Sequence, residues 1–412
     1  MNRMAGLPRG IAFSAGVAVL VLTGCADRIS EPRSPRAVQS ARRDDAAPIG
    51  EGTASVRWSA ITRDFISAKT GAAKPNAVAG FRAFAYLSLA QYRAVLAADD
   101  AHGSPPHASP QGAVAAASAV VLSALFPDDA AFFASRLQLE ESEVTSPEKA
   151  QSAFAAGETV GRAIAAQVVE LARSDHFDDV WTGTVPAGPG HWSSDFDPPR
   201  PPQTPLLGQM RPFFMQSGNQ FRPGPPPAFG SAEFLAALEE VREFSDNRTP
   251  DQLRIAQFWA LTTGSLTAGF WNDEASNRIE RYHLNERRAA RALALVHMAA
   301  MDATIACYDA KYTYWFIRPY RADPAITTPI GRPNHPSYPS SHACASAAAT
   351  SVLASLFPAD AAQLARMADE AGESRLYAGI HYRFDKDAGL HIGRQVAALA
   401  LRRQGEDPEE ER

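Results

Sequence analysis

The 412-residue chain lacks several features that would place it in common protein classes. Its 3 cysteines are too few for a disulfide-rich scaffold, and 40 basic against 45 acidic residues leave a net charge of −5. The basic residues are scattered rather than banded, which excludes the electrostatic surface of a nucleic-acid binder. Beyond the N-terminal segment, no uninterrupted apolar run reaches the roughly 20 residues of a membrane-spanning helix.

The N-terminus has the pattern of a lipoprotein signal. Arg3 and Arg9 precede a short apolar core that ends in Leu22-Thr23-Gly24-Cys25. We predict a signal peptide over 1–24, lipidation of Cys25 and a flexible polar tether over 25–53. The expected location is extracytoplasmic, in the cell envelope, with the protein anchored to a bacterial membrane by lipid alone and facing the periplasm.

From residue 54 onward, apolar residues recur at spacings of three and four, which predicts helices and no alternating strands. The predicted helices are Val56–Ser67, Ala77–Ala98, Gln111–Leu125, Pro147–Arg173, Ala232–Phe244, Asp251–Phe270 and Asn285–Tyr308, then one that ends near Trp315, Ser341–Leu356 and two more. The predicted fold class is therefore all-α, with a single helical catalytic domain over 54–405 and a charged tail over 406–412.

Proline is concentrated between Val185 and Pro227 and prevents regular helix there. Five aromatic residues, which favour burial, are spread through the segment: Trp192, Phe196, Phe213, Phe214 and Phe221. We therefore predict a long ordered loop that wraps over the helices. A linker between two domains is the alternative.

Three short stretches carry the residues of an anion site: Lys311-x6-Arg318-Pro319, Pro339-Ser340-Ser341-His342 and Ser374-Arg375-x5-His381-x3-Asp385. The three cations can each donate to an oxyanion. The serine pair precedes a helix, whose first N–H groups and dipole favour negative charge. The oxyanion site is thus predicted within 311–385.

The two histidines make a reactive site plausible. On a helix, His381 and Asp385 share a face, so the carboxylate can hold one ring nitrogen and leave the other for reaction. Taken singly, each stretch is also explained as a helix exit, a cap or a structural pair. Zinc is disfavoured because no His-Glu-x-x-His occurs and the neighbouring arginines would repel a cation.

Cys307 and Cys344 each lie beside one of the three stretches. An oxidising compartment would permit a disulfide between them. Two buried free thiols are the alternative, and the sequence leaves both open.

As a set, these stretches resemble the superfamily of type 2 phosphatidic acid phosphatases (PAP2), bacterial acid phosphatases and vanadium-dependent haloperoxidases. The surrounding residues, Cys307 to Trp315, His335 to His342 and Phe258-Trp259, are similar to bacterial haloperoxidase-like members in particular. The resemblance implies a helical bundle that holds vanadate, with phosphate able to occupy the same site.

The resemblance also implies residue roles. Lys311, Arg318 and Arg375 would bind the oxygens with Ser340 and the backbone of Ser341, and His381 would bind vanadium. His342 would act as the acid–base group, and Asp385 would orient His381. Ser341 stands where the family usually has glycine. His335 matches a position at which bromide-type members resemble this chain and chloride-type members carry phenylalanine. The alternative for His335 is a histidine that supports the site without touching the anion, or one on the surface.

The expected activity is vanadate-dependent oxidation of a halide by hydrogen peroxide, with bromide favoured over chloride. One alternative is a phosphatase that acts on a phosphate ester through a phosphohistidine at His381. Another is a lipoprotein that binds the oxyanion without turnover. The same residues serve all three, and the sequence is silent on oligomeric state.

Overall fold

Thirteen α-helices make up the described part of the computed structural model, which covers residues 53–100, 107–144, 148–261 and 266–405. They are α1 (Ala54–Ala68), α2 (Ala77–Asp100), α3 (Pro110–Leu125), α4 (Ala130–Glu143), α5 (Glu148–Arg173), α6 (Ala232–Asp246), α7 (Pro250–Phe258), α8 (Leu266–Arg281), α9 (Glu286–Tyr314), α10 (Pro319–Ala322), α11 (Ser341–Leu356), α12 (Ala361–Tyr377) and α13 (Arg383–Gly405). Within these ranges the one β-pairing is an isolated bridge between His191 and Phe316. The all-α prediction is confirmed.

One predicted helix was wrong, and two helices were missed. The helix expected over Asp251–Phe270 is interrupted, because α7 ends at Phe258 and α8 begins at Leu266. Leu261 has a φ of 46°, a left-handed conformation that ends a helical path. Helices α4 and α10 were not predicted at all. The predicted signal, tether, tail and lipidated Cys25 lie outside the described residues.

Helix α9 forms the centre of the core. It packs against α2 on one side and against α11 and α13 on the other. An 18-residue window in it has mean hydropathy 1.3, enough for a membrane span by composition, but 94% of that window is buried within the protein. Its apolar surface therefore builds the core, and its C-terminal end delivers Lys311 to the site.

Glycines allow α13 to approach the start of α11 closely. A Cβ on Gly389 would lie 2.7 Å from the carbonyl oxygen of Ser340, and one on Gly393 would lie 2.3 Å from that of Cys344. Real Cβ atoms do not come so near to backbone oxygen. The contact brings Asp385, at the beginning of α13, next to the start of α11.

The proline-rich segment is an ordered wrap over α9, as predicted. Buried Asp302 on α9 accepts hydrogen bonds from the backbone N–H groups of Phe213, Phe214 and Met215 at 2.7–3.0 Å. Trp192 and Phe214 are buried, as predicted from their aromatic side chains. Phe196, in contrast, is 39% exposed, so its expected burial was wrong.

Candidate active site

The three predicted stretches meet at the ends of five helices. Lys311 lies in the last turn of α9, and Arg318 is the N-cap of α10. Ser340 is the N-cap of α11, and Arg375 lies in the last turn of α12. His381 and Asp385 flank the start of α13. Helix ends have free backbone groups, so this arrangement concentrates polar atoms inside an apolar bundle.

A cavity of about 140 Å³ opens between these helix ends. Its wall includes six polar or aromatic side chains from the predicted stretches and their surroundings: Tyr308, His335, Ser341, His342, Arg375 and His381. Lys311, Arg318, Ser340 and Asp385 are fully buried behind this wall. The site thus has an accessible layer and a buried layer that supports it.

Lys311 is held by a loop of backbone carbonyls. Its Nζ donates to the carbonyl oxygens of Pro336 at 2.9 Å and Ser337 at 2.7 Å, and to that of Pro339. These three bonds use all of its protons. Lys311 therefore shapes the loop that precedes α11 and contributes to the site chiefly through its charge.

Arg318 joins the first and third stretches. Its Nη1 donates to the Nε2 of His381 at 3.0 Å and to the carbonyl oxygen of Ile380 at 2.7 Å. Its Nη2 faces the Nδ1 of His335 at 3.1 Å. Because a guanidinium only donates, the Nε2 of His381 must carry a lone pair. The Nδ1 of His335 also lies 3.2 Å from the Pro336 carbonyl oxygen. His335 is buried beside the site and is not a surface residue.

Arg375 is the cation that lines the cavity. Its Nε donates to the hydroxyl of Ser374 at 2.9 Å, and its Nη2 donates to the carbonyl oxygen of Ala256 in α7 at 2.9 Å. Among the described residues, its Nη1 has no hydrogen-bond partner in the protein. The guanidinium is therefore fixed at one edge and can present the other to an anion.

The start of α11 provides unpartnered donors. The Ser340 hydroxyl is buried and, among the described residues, has no partner. The N–H groups of Ser341, His342 and Ala343 lie in the first helical turn and have no intrahelical acceptor. The Ser340 N–H was expected to face the anion as well, but it donates to the Asp385 carbonyl oxygen at 2.9 Å. The remaining donors still suit an oxyanion.

His381 and Asp385 are bonded, but they do not share a helix face as predicted. His381 precedes α13, whereas Asp385 lies in its first turn. Asp385 Oδ2 accepts from His381 Nδ1 at 2.7 Å, from the Ser337 hydroxyl at 2.6 Å and from the Tyr382 N–H at 3.1 Å. The carboxylate therefore caps the helix and also keeps the His381 proton on Nδ1 and the lone pair on Nε2.

His342 is oriented in the opposite way. Its Nε2 lies 2.8 Å from the carbonyl oxygen of Trp259, which can only accept. The proton is therefore on Nε2, and Nδ1 carries the lone pair. Burial and the nearby Arg375 lower the pKa of His342 to about 3, so its ring is neutral at pH 7. A neutral ring with a bare Nδ1 can accept a proton.

The two cysteines near the site are buried free thiols. The Cys307 thiol lies 3.6 Å from both the Pro339 carbonyl oxygen and the Ser341 hydroxyl. Cys307 therefore supports the loop and the serine that precede His342. Of the two alternatives that the sequence allowed, the structure contains the pair of thiols.

The site is short of negative charge. The site has three positive charges, on Lys311, Arg318 and Arg375. The one carboxylate in the three stretches is that of Asp385. Burial lowers the pKa of Lys311 to about 8 and that of Arg375 to about 9, and it also lowers the pKa of Arg318. Burial raises the pKa of Asp385 to about 6. An anion of two or three charges would offset this excess.

Three contributors carried no role in the sequence interpretation. Ser337 holds Asp385, Ser374 holds Arg375, and Trp259 holds His342 through its backbone. Ser337 and Ser374 lie within or beside the three stretches, so their position was a usable signal. Nothing local shows that the Trp259 carbonyl meets His342, because 83 residues separate them.

One family model matches part of the chain, and several solved structures share its fold. The family model described as the VCPO second helical-bundle domain matches residues 360–406, which include Arg375, His381 and Asp385. The crystal structure of the first bacterial vanadium-dependent iodoperoxidase has a TM-score of 0.69 and 23% identity, and the match covers 85% of this chain and 94% of that one.

Two structures of bacterial vanadium-dependent chloroperoxidase, apo-type and holo-type, also match. The apo-type structure has a TM-score of 0.63 and 14% identity, and the match covers 82% of this chain and 96% of that one. The holo-type structure has a TM-score of 0.61 and 14% identity, and the match covers 79% of this chain and 91% of that one. No curated protein matches the sequence. The predicted resemblance is confirmed at the level of fold: the helical architecture is like that of bacterial vanadium haloperoxidases, and the cationic, histidine-containing site lies within it.

Proposed function

We propose that the protein is a vanadium-dependent haloperoxidase of the PAP2/haloperoxidase superfamily, which uses hydrogen peroxide to oxidise a halide. One observation carries this proposal. A neutral His381, with its lone pair on Nε2, lies among three buried cations in a fold shared with bacterial iodoperoxidase and chloroperoxidase structures. A neutral nitrogen ligand beside oxyanion donors suits a metal oxyanion.

The residues fit vanadate. Arg375, the Ser340 hydroxyl and the first N–H groups of α11 would donate to its oxygens. His381 Nε2, which accepts from Arg318 Nη1 in this structure, would bind vanadium once that N–H turns to the anion. Lys311 and Arg318 would balance its charge from behind. When bound, vanadate supplies a Lewis-acidic centre that activates hydrogen peroxide for oxygen transfer to a halide. Phosphate has the same shape and charge and would compete for these donors.

His342 would accept the proton of the peroxide. Its Nδ1 carries the lone pair and its ring lines the same cavity as His381. A dianion in the site would raise the pKa of His342 from its low value and favour proton uptake at Nδ1. The ring can then return that proton to a leaving oxygen.

We also propose bromide as the preferred halide over chloride, on the resemblance of His335 to bromide-type members. His335 is buried, lines the cavity and bonds to Arg318. Turnover measured with iodide, bromide and chloride at equal concentration decides this preference. A higher kcat/KM with chloride than with bromide would contradict it.

The activity itself is tested on one purified sample in two assays. The first is bromination of a phenolic dye with peroxide, with and without added vanadate, and the second is hydrolysis of a chromogenic phosphate ester. We expect vanadate-dependent bromination that His381→Ala abolishes. His176→Ala, whose side chain is 62% exposed, is the matched control and should retain full activity. Hydrolysis without bromination would support the phosphatase instead.

The cellular location is proposed from the N-terminal sequence alone. Lipidation of Cys25 would anchor the protein to a bacterial membrane, with its domain facing the periplasm. Mass spectrometry of the membrane fraction should detect a lipid-modified N-terminal cysteine. Its absence, with residues 1–24 retained, would contradict the anchor.

A further inference from the structure

The C-terminal end of α7 supplies acceptors to two residues of the site. The Trp259 carbonyl oxygen accepts from His342 Nε2 at 2.8 Å, and the Ala256 carbonyl oxygen accepts from Arg375 Nη2 at 2.9 Å. Carbonyls in the last turn of a helix have no partner within the helix, and the helix dipole makes them favourable to cations. The orientation of His342 therefore depends on where α7 ends.

The Trp259 side chain holds that end in place. The indole is 1% exposed and packs edge-on or tilted against Phe258, Phe270 and Trp271, at ring-centroid distances of 5.0–5.9 Å. Its Nε1 donates to Glu370 Oε1 on α12 at 2.9 Å. This contact joins the end of α7 to the helix that carries Arg375.

We propose that Trp259 and Glu370 are positioning residues for His342. The indole–carboxylate bond fixes the Trp259 carbonyl oxygen. This oxygen keeps the His342 proton on Nε2 and leaves the lone pair on Nδ1. Neither side chain touches the cavity, since the wall includes neither of them. The inference about the ring stands on geometry alone; only its kinetic consequence rests on the proposed function.

The consequence is a selective effect on turnover. If the carbonyl oxygen moves, His342 Nε2 loses the hydrogen-bond partner that it has among the described residues, and the ring populates both tautomers. The fraction with a bare Nδ1 then falls, while the oxyanion donors stay in place. We therefore expect kcat to fall about two- to tenfold, the effect of one hydrogen bond, with KM for halide and peroxide unchanged.

Three variants test this. Trp259→Phe keeps the ring packing and removes the N–H donor, and Glu370→Ala removes the acceptor from an exposed position. Glu370→Gln keeps an acceptor oxygen and is the matched control. Thermal melting of each variant shows whether it is folded before any other measurement is interpreted.

The decisive readout is the ¹⁵N NMR signature of the histidine rings in the full mature chain, with His342 assigned by comparison with His342→Gln. We expect an Nε2-protonated ring in the wild type and Glu370→Gln, and a mixture of tautomers in Trp259→Phe and Glu370→Ala. An unchanged tautomer in folded Trp259→Phe and Glu370→Ala overturns the proposal.

Kinetics provide the second arm. The kcat loss should occur in Trp259→Phe and Glu370→Ala and be restored in Glu370→Gln. If the His342 tautomer changes in these variants but the wild type does not oxidise halide, the proposed function is wrong and the positioning role stands. An active enzyme whose His342 ring does not respond would overturn the positioning role alone.

Discussion

Replacing Asp385 with asparagine should separate stability from activity. Asp385 Oδ2 accepts three hydrogen bonds, while the buried Oδ1 has no partner among the described residues. Burial raises the pKa of this carboxyl from its ordinary 3.8 to about 6. That difference corresponds to a cost of about 3 kcal/mol for ionised Asp385 at pH 7.

The sign of the pH dependence follows from proton binding. Between pH 3.8 and 6 the folded protein holds the Asp385 proton that the unfolded chain has released. Folding stability from this group is therefore complete below about pH 4 and declines as the pH rises to about 6. Asp385→Asn lacks this decline. The free energy of unfolding of the wild type minus that of the variant should fall by about 3 kcal/mol from pH 4 to pH 7.

Urea unfolding at pH 4, 5, 6 and 7 measures this difference. Asp179→Asn, whose carboxylate is 51% exposed, is the control and should show no such trend. Asp385→Asn should lose activity even though it gains stability at pH 7, because His381 loses the charged partner that holds its tautomer. We expect a 10- to 100-fold loss of vanadate affinity or turnover. A wild-type-minus-variant difference that is constant between pH 4 and pH 7 would refute the assignment of Asp385 as a buried, costly anion.

Three further results are expected. Sulfate affinity, measured by calorimetry from pH 7 to 8.5, should fall as the pH rises through about 8, where Lys311 loses its proton. This range stays below the Arg375 pKa of about 9, so Lys311→Met should bind sulfate weakly and without that decline. Cys307 and Cys344 should both react with an alkylating reagent without reductant, but only after unfolding; a mass indicating an oxidised pair would contradict the buried thiols. Asp302→Ala should reduce the free energy of unfolding by about 2–4 kcal/mol, because three backbone N–H groups lose their acceptor, and an unchanged urea midpoint would contradict this role.

Local pattern was sufficient for most of the fold. Helices with continuous apolar spacing, such as α2 and α3, were predicted to within two residues, because periodicity reflects one buried face. The break between α7 and α8 was missed, since the apolar spacing continues across it. There, a left-handed Leu261 and the packing of Trp259 override the periodicity.

The chemical groups of the site could be read from the amino-acid order alone: three cations, two histidines, a carboxylate and a serine at a helix start. The amino-acid order also determined the loop over α9, because proline excludes helix while aromatic residues require burial. Which nitrogen of each histidine carries the proton depends on contacts that form only in the folded chain. His381 is set by Asp385 and Arg318, and His342 by the Trp259 carbonyl. The partners of Arg318 and Trp259 are 63 and 83 residues away in sequence, and spacing along a chain does not show which backbone oxygen a side chain meets after folding.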